Sequence, residues 1–353
     1  MQQLHPIDQI RQSVAHSLWN AVSATQNDIL VNLCYDKDKR YRFLKENFAK
    51  NFSGKVYLSE HACYENVKLP FKFILQNYIN NHKVDDWSIV ILQNNTINYK
   101  DNSDLYHAIR KNAPNSIFVC WDYDNHHWVV LSTMVAALVD IYIPAHSENV
   151  NPITRFNSNS FGPVACGTLQ WSKEFAQKNI KLIKNTKRSN EPLGHHFEYS
   201  HFTYRNGCVR AVNRVYKEVA LIPPKYHEKP PIERLTEWTN HKAHWIMPVF
   251  NDIPLRFFDS LFTGGIPIIP KTLQGNPVIR GLDDFCEFYT VQDLVEPEEI
   301  TNRAIAKFDK LGDKGTMARH QAILNAHHID NRFELIFKHI EKEFNLSLDT
   351  DAK

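Results

Sequence analysis

No C-x-x-C pair joins any of the six cysteines, no apolar stretch reaches the ~18 to 20 residues of a membrane helix, and basic and acidic residues nearly cancel. Each absence removes a class. Cys34, Cys63, Cys120, Cys166, Cys208 and Cys286 are too scattered for a zinc ribbon or a redox dithiol, so buried free thiols are expected. The opening "MQQLHPIDQIRQSV" lacks the basic segment and apolar core of a secretory signal, which predicts a cytoplasmic chain. With 41 basic against 39 acidic residues and a net charge of +2, the concentrated basic surface that nucleic-acid binding uses is missing. Internal repeats and low-complexity tracts are absent too.

What is present is material for folded cores. The chain has 353 residues, 43% of them hydrophobic and 12% aromatic, enough for two domains of ordinary size. A modest basic stretch, Lys173, Lys178, Lys181, Lys184, Lys187 and Arg188, is either a solvated face or a peripheral contact with the inner face of an anionic membrane. Eighteen histidines make the charge sensitive to mild acid.

The patterning alternates helix and strand. Ile7, Ile10, Val14 and Leu18 recur at helical spacing, and "ILVNLCY" from Ile29 follows as a bounded apolar strand. "KVYL", "WSIVIL", "SIFVCW" and "VDIYIPA" read as further strands, with a helix over Leu105 to Asn112 behind Ser103. Runs that are apolar throughout suit a parallel sheet covered on both faces. "NVNPITRFNSNSFGP", 149–163, loses periodicity and reads as a boundary loop. Beyond it "IKLIKN" and "VALIPP" are predicted strands, a helix spans about Tyr204 to Tyr216, and the chain ends in a helix with Phe333, Ile336, Phe337, Ile340 and Phe344 on one face. The pattern predicts two doubly wound, Rossmann-like α/β domains facing a cleft, with ligands beyond the strand C-termini.

Two stretches carry chemistry. "VCWDYDNHHW" has a D-x-D, Asp122 and Asp124, the form that holds a divalent ion against a diphosphate, and it adds His126 and His127. Adjacent ligands lack the one-face spacing of a zinc motif, so metal site, base and plain polar loop all stay open. "WIMPVFNDIPLRFFDSLFTGGIPIIP" reads as strand, turn, helix, glycine stop, strand. Asn251 and Asp252 stand in the turn, Asp252 is placed to cap the helix, Pro254 sits in its first turn, and Gly264-Gly265 close it. The free N–H groups of such a helix make a phosphate site, to which Arg256 adds a forked cation, and Asp259 one turn deeper could accept from ribose hydroxyls.

"FNDIPLRFFDSLFTGGIPIIP" resembles the donor-binding helix and strand of GT-B glycosyltransferases, in particular the family-1-like group related to CgeB and to bacterial capsule or lipopolysaccharide transferases. Arg256, Phe258, Asp259, Gly264, Gly265 and Pro267 match in kind, with Asp259 where the group usually has Glu. The closing "HHIDNRFELIFKHI" is similar to that group's C-terminal helix, and the resemblance covers mostly Thr236 to Ile340. It implies an acceptor-side domain over 1–163, a nucleotide-sugar domain over 164–328, and a terminal helix, 329–353, crossing back to the first. It also implies a nucleotide-sugar co-substrate, no metal or other cofactor, a glycan or lipid-linked acceptor, and a role in surface polysaccharide assembly. The donor-site reading that the resemblance implies makes Arg205 and Lys242 further candidates for phosphate contacts, and Trp238 and Trp245 either base-stacking or core residues. Asp122, Asp124, His126 and His127 are then the candidates for catalytic base or nucleophile across from the donor. Three alternatives remain: a metal-dependent GT-A transferase using Asp122 and Asp124, a non-catalytic nucleotide-sugar binding protein, and an epimerase or similar enzyme acting on a nucleotide sugar.

Overall fold

The computed structural model describes residues 28–31, 55–58, 67–70, 88–93, 117–122, 129–147, 150–168, 170–200, 202–223, 229–250 and 252–344. The helices expected at Ile7 to Leu18 and at Leu105 to Asn112 lie outside them. By internal contacts the chain divides into two units, Met1–Ala165 with Phe337–Lys353, and Cys166–Ile336.

The first unit contains β1 (Asp28–Val31), β2 (Lys55–Leu58), β3 (Val67–Pro70), β4 (Ser88–Gln93), β5 (Ile117–Asp122), α1 (Val129–Ala136), β6 (Ile141–Pro144) and α2 (Val150–Thr154). Strands β2, β4, β5 and β6 form a parallel sheet in that order, as expected of uninterrupted apolar runs, while β1 and β3 pair antiparallel. Val119, Cys120, Trp121, Ile141, Tyr142 and Ile143 are buried. The stretch expected as an unstructured boundary loop begins as α2. Its remainder is pinned by Asn157, whose Nδ2 donates to the carbonyls of Ala136 and Val139 at 2.9 Å each.

The second unit runs α3 (Lys173–Lys178), α4 (Ile180–Lys184), β7 (Gly194–Phe197), α5 (Thr203–Asn213), β8 (Val219–Ile222), α6 (Pro231–Thr239), β9 (Ala243–Trp245), α7 (Leu255–Phe262), β10 (Ile266–Pro270), β11 (Glu287–Tyr289), α8 (Val291–Val295) and α9 (Pro297–Ala322, interrupted at Gly312). α10 (Ile329–Phe344) follows. "IKLIKN" is helix rather than the predicted strand: Ile183 is buried while Lys181 and Lys184 are exposed, a separation that helical spacing allows.

Among the described residues all strand pairings of this unit are parallel, in the orders β11-β10-β9 and β7-β8. Leu193 joins the two ladders, accepting from Trp245 N at 2.8 Å and donating to the Ala243 carbonyl at 3.0 Å. The order β11-β10-β9-β7-β8 reverses direction between β7 and β9, and a crevice opens beyond the strand C-termini at such a switch point. On one face of the sheet, Val209 and Val212 of α5 and Ile300, Ala304 and Phe308 of α9 pack on Trp245, Ile266 and Ile268. Trp238 and Trp245 are both buried, so they serve the core rather than a stacked base.

Candidate functional site

The segment beyond β9 builds one wall of the crevice. α7 is buried over most of its length, with the apolar Phe257, Phe258, Leu261 and Phe262 and the polar Asp259 and Ser260 all out of solvent. Its rear end is fully engaged. Gly264, at φ 79°, gives the left-handed residue of a Schellman stop, in which Gly264 N donates to Leu261 O and Gly265 N to Ser260 O, each at 2.9 Å. A Cβ on Gly264 would strike Thr316, and one on Gly265 would enter the His244 ring. His320 donates to the Phe262 carbonyl, Arg188 to that of Thr263 and Arg319 to that of Gly264. Three cationic or polar side chains therefore satisfy the carbonyls that a helix C-terminus exposes.

The front end is left open. The N-cap is Pro254 and no side chain caps the helix, so Asp252 does not take the capping role expected of it. It lies two residues upstream, 8% exposed, where its charge favours the cationic form of Arg205. Arg256 stands in the first turn, half-buried, without a hydrogen bond or ion pair among the described residues. Asn251 lies outside the described residues.

Arg205 approaches from the other side of the switch point. α5 begins at Thr203 with no side-chain cap, and the Arg205 guanidinium, 4% exposed, donates to the Phe197 carbonyl and lies 5.1 Å from the Tyr199 ring centroid. Its buried Nε has no hydrogen-bond partner. Burial first, and then the charge of Arg256, pulls Arg205 down to about 10. His196, fully buried on β7, feels both: burial, then Arg256, then Arg205 hold it well below the usual imidazole range. With Nε2 at 3.2 Å from the Trp245 carbonyl and Nδ1 without a partner, His196 is neutral. Two guanidiniums that repel one another, beside two uncapped helix N-termini, are groups whose unfavourable charge an anion would relieve.

A cavity of about 790 Å³ opens from the Arg205 side, along the C-terminal ends of β9, β10 and β11 and between α5 and α8. Its lining includes Phe202, Tyr204, Arg205, Phe250, Lys271 and Tyr289, and no acidic side chain. The volume is within the range of small-molecule sites. Phe250 keeps φ at 54°, uncommon for a residue with a side chain, and its ring stays 67% exposed.

The other candidates fall elsewhere. Lys242 precedes β9, at the end of the sheet opposite the crevice, and pairs with Asp309 at 2.9 Å, so it is not a phosphate ligand in this arrangement. Asp259 is fully buried, and its oxygens accept from Thr168 Oγ1 at 2.8 Å and from Gln170. The ribose contact expected of it is replaced by a clasp on the 168–170 segment. Burial raises Asp259 to about 7, opposed by those hydrogen bonds and by Arg256.

In the first unit Asp122 ends β5 with no exposure, accepting from Ser132 Oγ at 2.6 Å and from the Tyr142 hydroxyl. A base has to reach its substrate's proton, and this carboxylate is instead bonded within the unit. Asp124, His126 and His127 lie outside the described residues. Among the described residues no group of three or more His, Cys, Asp or Glu could hold a metal ion, and no helix is long and apolar enough to cross a membrane.

No family model and no curated protein matches the chain. Among solved structures it is similar to an α,α-trehalose 6-phosphate synthase from Burkholderia multivorans, with 9% identity, a TM-score of 0.46, and coverage of 77% of this chain and 75% of that one. A likeness at that level assigns no activity here.

Proposed function

We propose that the chain is a GT-B glycosyltransferase that moves a sugar from a nucleotide donor to a glycan or lipid-linked acceptor in bacterial surface polysaccharide synthesis. The observation that carries this reading is the open front of α7: an uncapped helix N-terminus with Arg256 uncommitted in its first turn and Arg205 facing it. The resemblance of 250–270 to the donor segment of those transferases supports the same assignment.

In the reaction, the bond from the anomeric carbon to the phosphate oxygen breaks and the nucleotide leaves with the electron pair. The acceptor oxygen bonds to the sugar and its proton passes to a base. Arg205, Arg256 and the helix dipoles of α5 and α7 stabilise the negative charge that grows on the departing phosphate. They need no reorganisation at the moment of transfer, because packing and hydrogen bonds already hold the helices. Asp124, His126 and His127 remain the candidates for the base, and the charge of Asp252 favours the cationic form of Arg205.

Incubation with a panel of UDP-, GDP-, CMP- and dTDP-linked sugars tests the proposal through release of free nucleotide. Release on one class of donor, rising with added acceptor glycan, is expected. Tight nucleotide binding with no turnover on any donor would instead favour a sugar-nucleotide binding protein. Activity that vanishes in EDTA and returns with Mn²⁺ would favour the metal-dependent reading of Asp122 and Asp124.

A further inference from the structure

We infer that Tyr204 and Phe250 are the residues that grip the planar base of the bound nucleotide, and that Lys271 is a second cation for its phosphates. The inference rests on the reading above and names the part of the donor that the cavity takes.

Three observations carry it. The cavity is lined by exposed aromatic side chains, with Tyr204 73% and Phe250 67% accessible, although large apolar groups at a functional opening remain wet only until something covers them. The setting of Phe250 is stiff. Phe202 packs edge-on against Phe250 at 5.4 Å and against Tyr199 at 5.8 Å, so the Phe250 ring is held at a fixed angle rather than free to collapse into the cavity. The charges in the lining are of one sign: Arg205 and Lys271 are cations and no lining residue is acidic, so an anionic group is favoured beside the rings.

The polar end of the cavity is equally specific. The N-terminus of α5 is uncapped and Arg205, 4% exposed, lines the cavity with a buried Nε N–H that nothing accepts. That donor is an independent sign of an absent acceptor, because a buried unmade hydrogen bond is costly. A phosphate beside α5 would meet the charge of Arg205 and the free N–H groups of the helix's first turn, and Lys271 lines the same cavity.

The occupant that fits is a flat ring system joined to phosphate. Stacking on an aromatic face is tolerant of base identity and is strong when water is excluded. The hydroxyls of Thr203 and Thr272 at the rim could meet polar atoms on the edge of a base, whereas an alkyl chain would leave them unused. Phe250 follows β9 and Tyr204 stands in the first turn of α5, which follows β7; these strand ends are where a switch-point crevice draws its ligand contacts.

Calorimetric titration of the full chain tests this. The probes are pyrophosphate, the four diphosphates UDP, GDP, CDP and dTDP, and farnesyl phosphate as an alkyl phosphate, with Tyr204→Leu, Phe250→Leu and Lys271→Ala as variants. The tightest nucleotide should bind about tenfold or more better than pyrophosphate, and each ring substitution should remove roughly 5- to 100-fold of that affinity while leaving pyrophosphate unchanged. Lys271→Ala should weaken pyrophosphate and nucleotide alike. Nucleotide binding untouched in both ring variants would overturn the inference and leave the donor reading standing. Farnesyl phosphate outcompeting every nucleotide would replace the base with an alkyl chain. No binding of nucleotide or pyrophosphate would remove both readings. Melting curves check folding, and Tyr204→Leu, at a mostly exposed position, decides the matter if Phe250→Leu is unstable.

Discussion

Arg319 donates twice to the carbonyl of Gly264, from Nε at 2.9 Å and from one terminal nitrogen at 2.8 Å. The arginine is fully buried, and its charge is spent on the rear of the helix whose front faces the crevice. The two ends of α7 thus have opposite roles. One is saturated by Arg319, Arg188 and His320, and at the other no side chain caps the helix and Arg256 makes no hydrogen bond or ion pair among the described residues.

Arg319→Ala should therefore destabilise the second unit without touching the anion site directly. Losing two charge-assisted hydrogen bonds and leaving a buried carbonyl bare costs about 3 kcal/mol. Thermal melts should show a drop on the order of 6 to 12 °C. An unchanged melting temperature would mean that the clamp contributes little.

Gly265→Ala is also expected to be destabilising, because its Cβ would enter the ring of His244, itself fixed by Ser260 Oγ at 2.7 Å and the Trp238 carbonyl at 3.0 Å. Overpacking of this kind costs roughly 1 to 3 kcal/mol. Gly275→Ala, where the added Cβ meets nothing within 4 Å but φ is 80°, carries a backbone penalty alone, whereas Gly265, which is not at positive φ, carries a steric one. Denaturant midpoints should rank Gly265→Ala below Gly275→Ala.

Stability should respond to pH in two opposing ways. Burial, first, holds His196 and His244 well below the usual imidazole range. The unfolded chain takes up those protons below about pH 6.5 and the folded chain resists, so their contribution is intact above that value and lost as pH falls below it. Asp259, raised to about 7, behaves oppositely. Its contribution is full below the unfolded value of about 4 and is lost as pH rises through 7. Melting temperatures of the wild type minus those of Asp259→Asn should fall between pH 5 and pH 8, and a flat difference would contradict the buried-acid assignment.

Asp122→Asn separates a structural carboxylate from a catalytic one. The substitution weakens acceptance from Ser132 and Tyr142 inside a sealed site and should lower stability by about 1 to 3 kcal/mol. Donor binding should survive in Asp124→Asn, His126→Ala and His127→Ala, with turnover reduced in at least one. Full rate in all three would deprive the loop of a catalytic role.

The helix-glycine-strand unit at 251–270 was legible because capping, glycine and apolar signals are local. The parallel strands followed from apolar runs for the same reason. Asp252 was misread because cap preference depends on where the helix starts, and Pro254 shifts that start downstream. Lys242 looked cationic and adjacent in sequence, but it precedes β9 while ligands gather after it. Asp259 was read as a ribose contact and Asp122 as a candidate base because no local pattern reveals partners such as Thr168 and Gln170, 91 and 89 residues away from Asp259. The 180–184 helix was missed because a short apolar run with two lysines does not distinguish helix from strand. Phe250, Lys271 and Tyr289 gave no signal in sequence, since only folding brings four strand-end loops to one cavity.

The central claim is that the front of α7 holds the phosphates of a nucleotide, and the affinity of Arg256→Ala for the nucleoside diphosphate that binds the wild type best tests it most directly. Loss of a charged, forked donor should weaken binding by about tenfold or more, with folding intact. Wild-type affinity in that variant would contradict the claim.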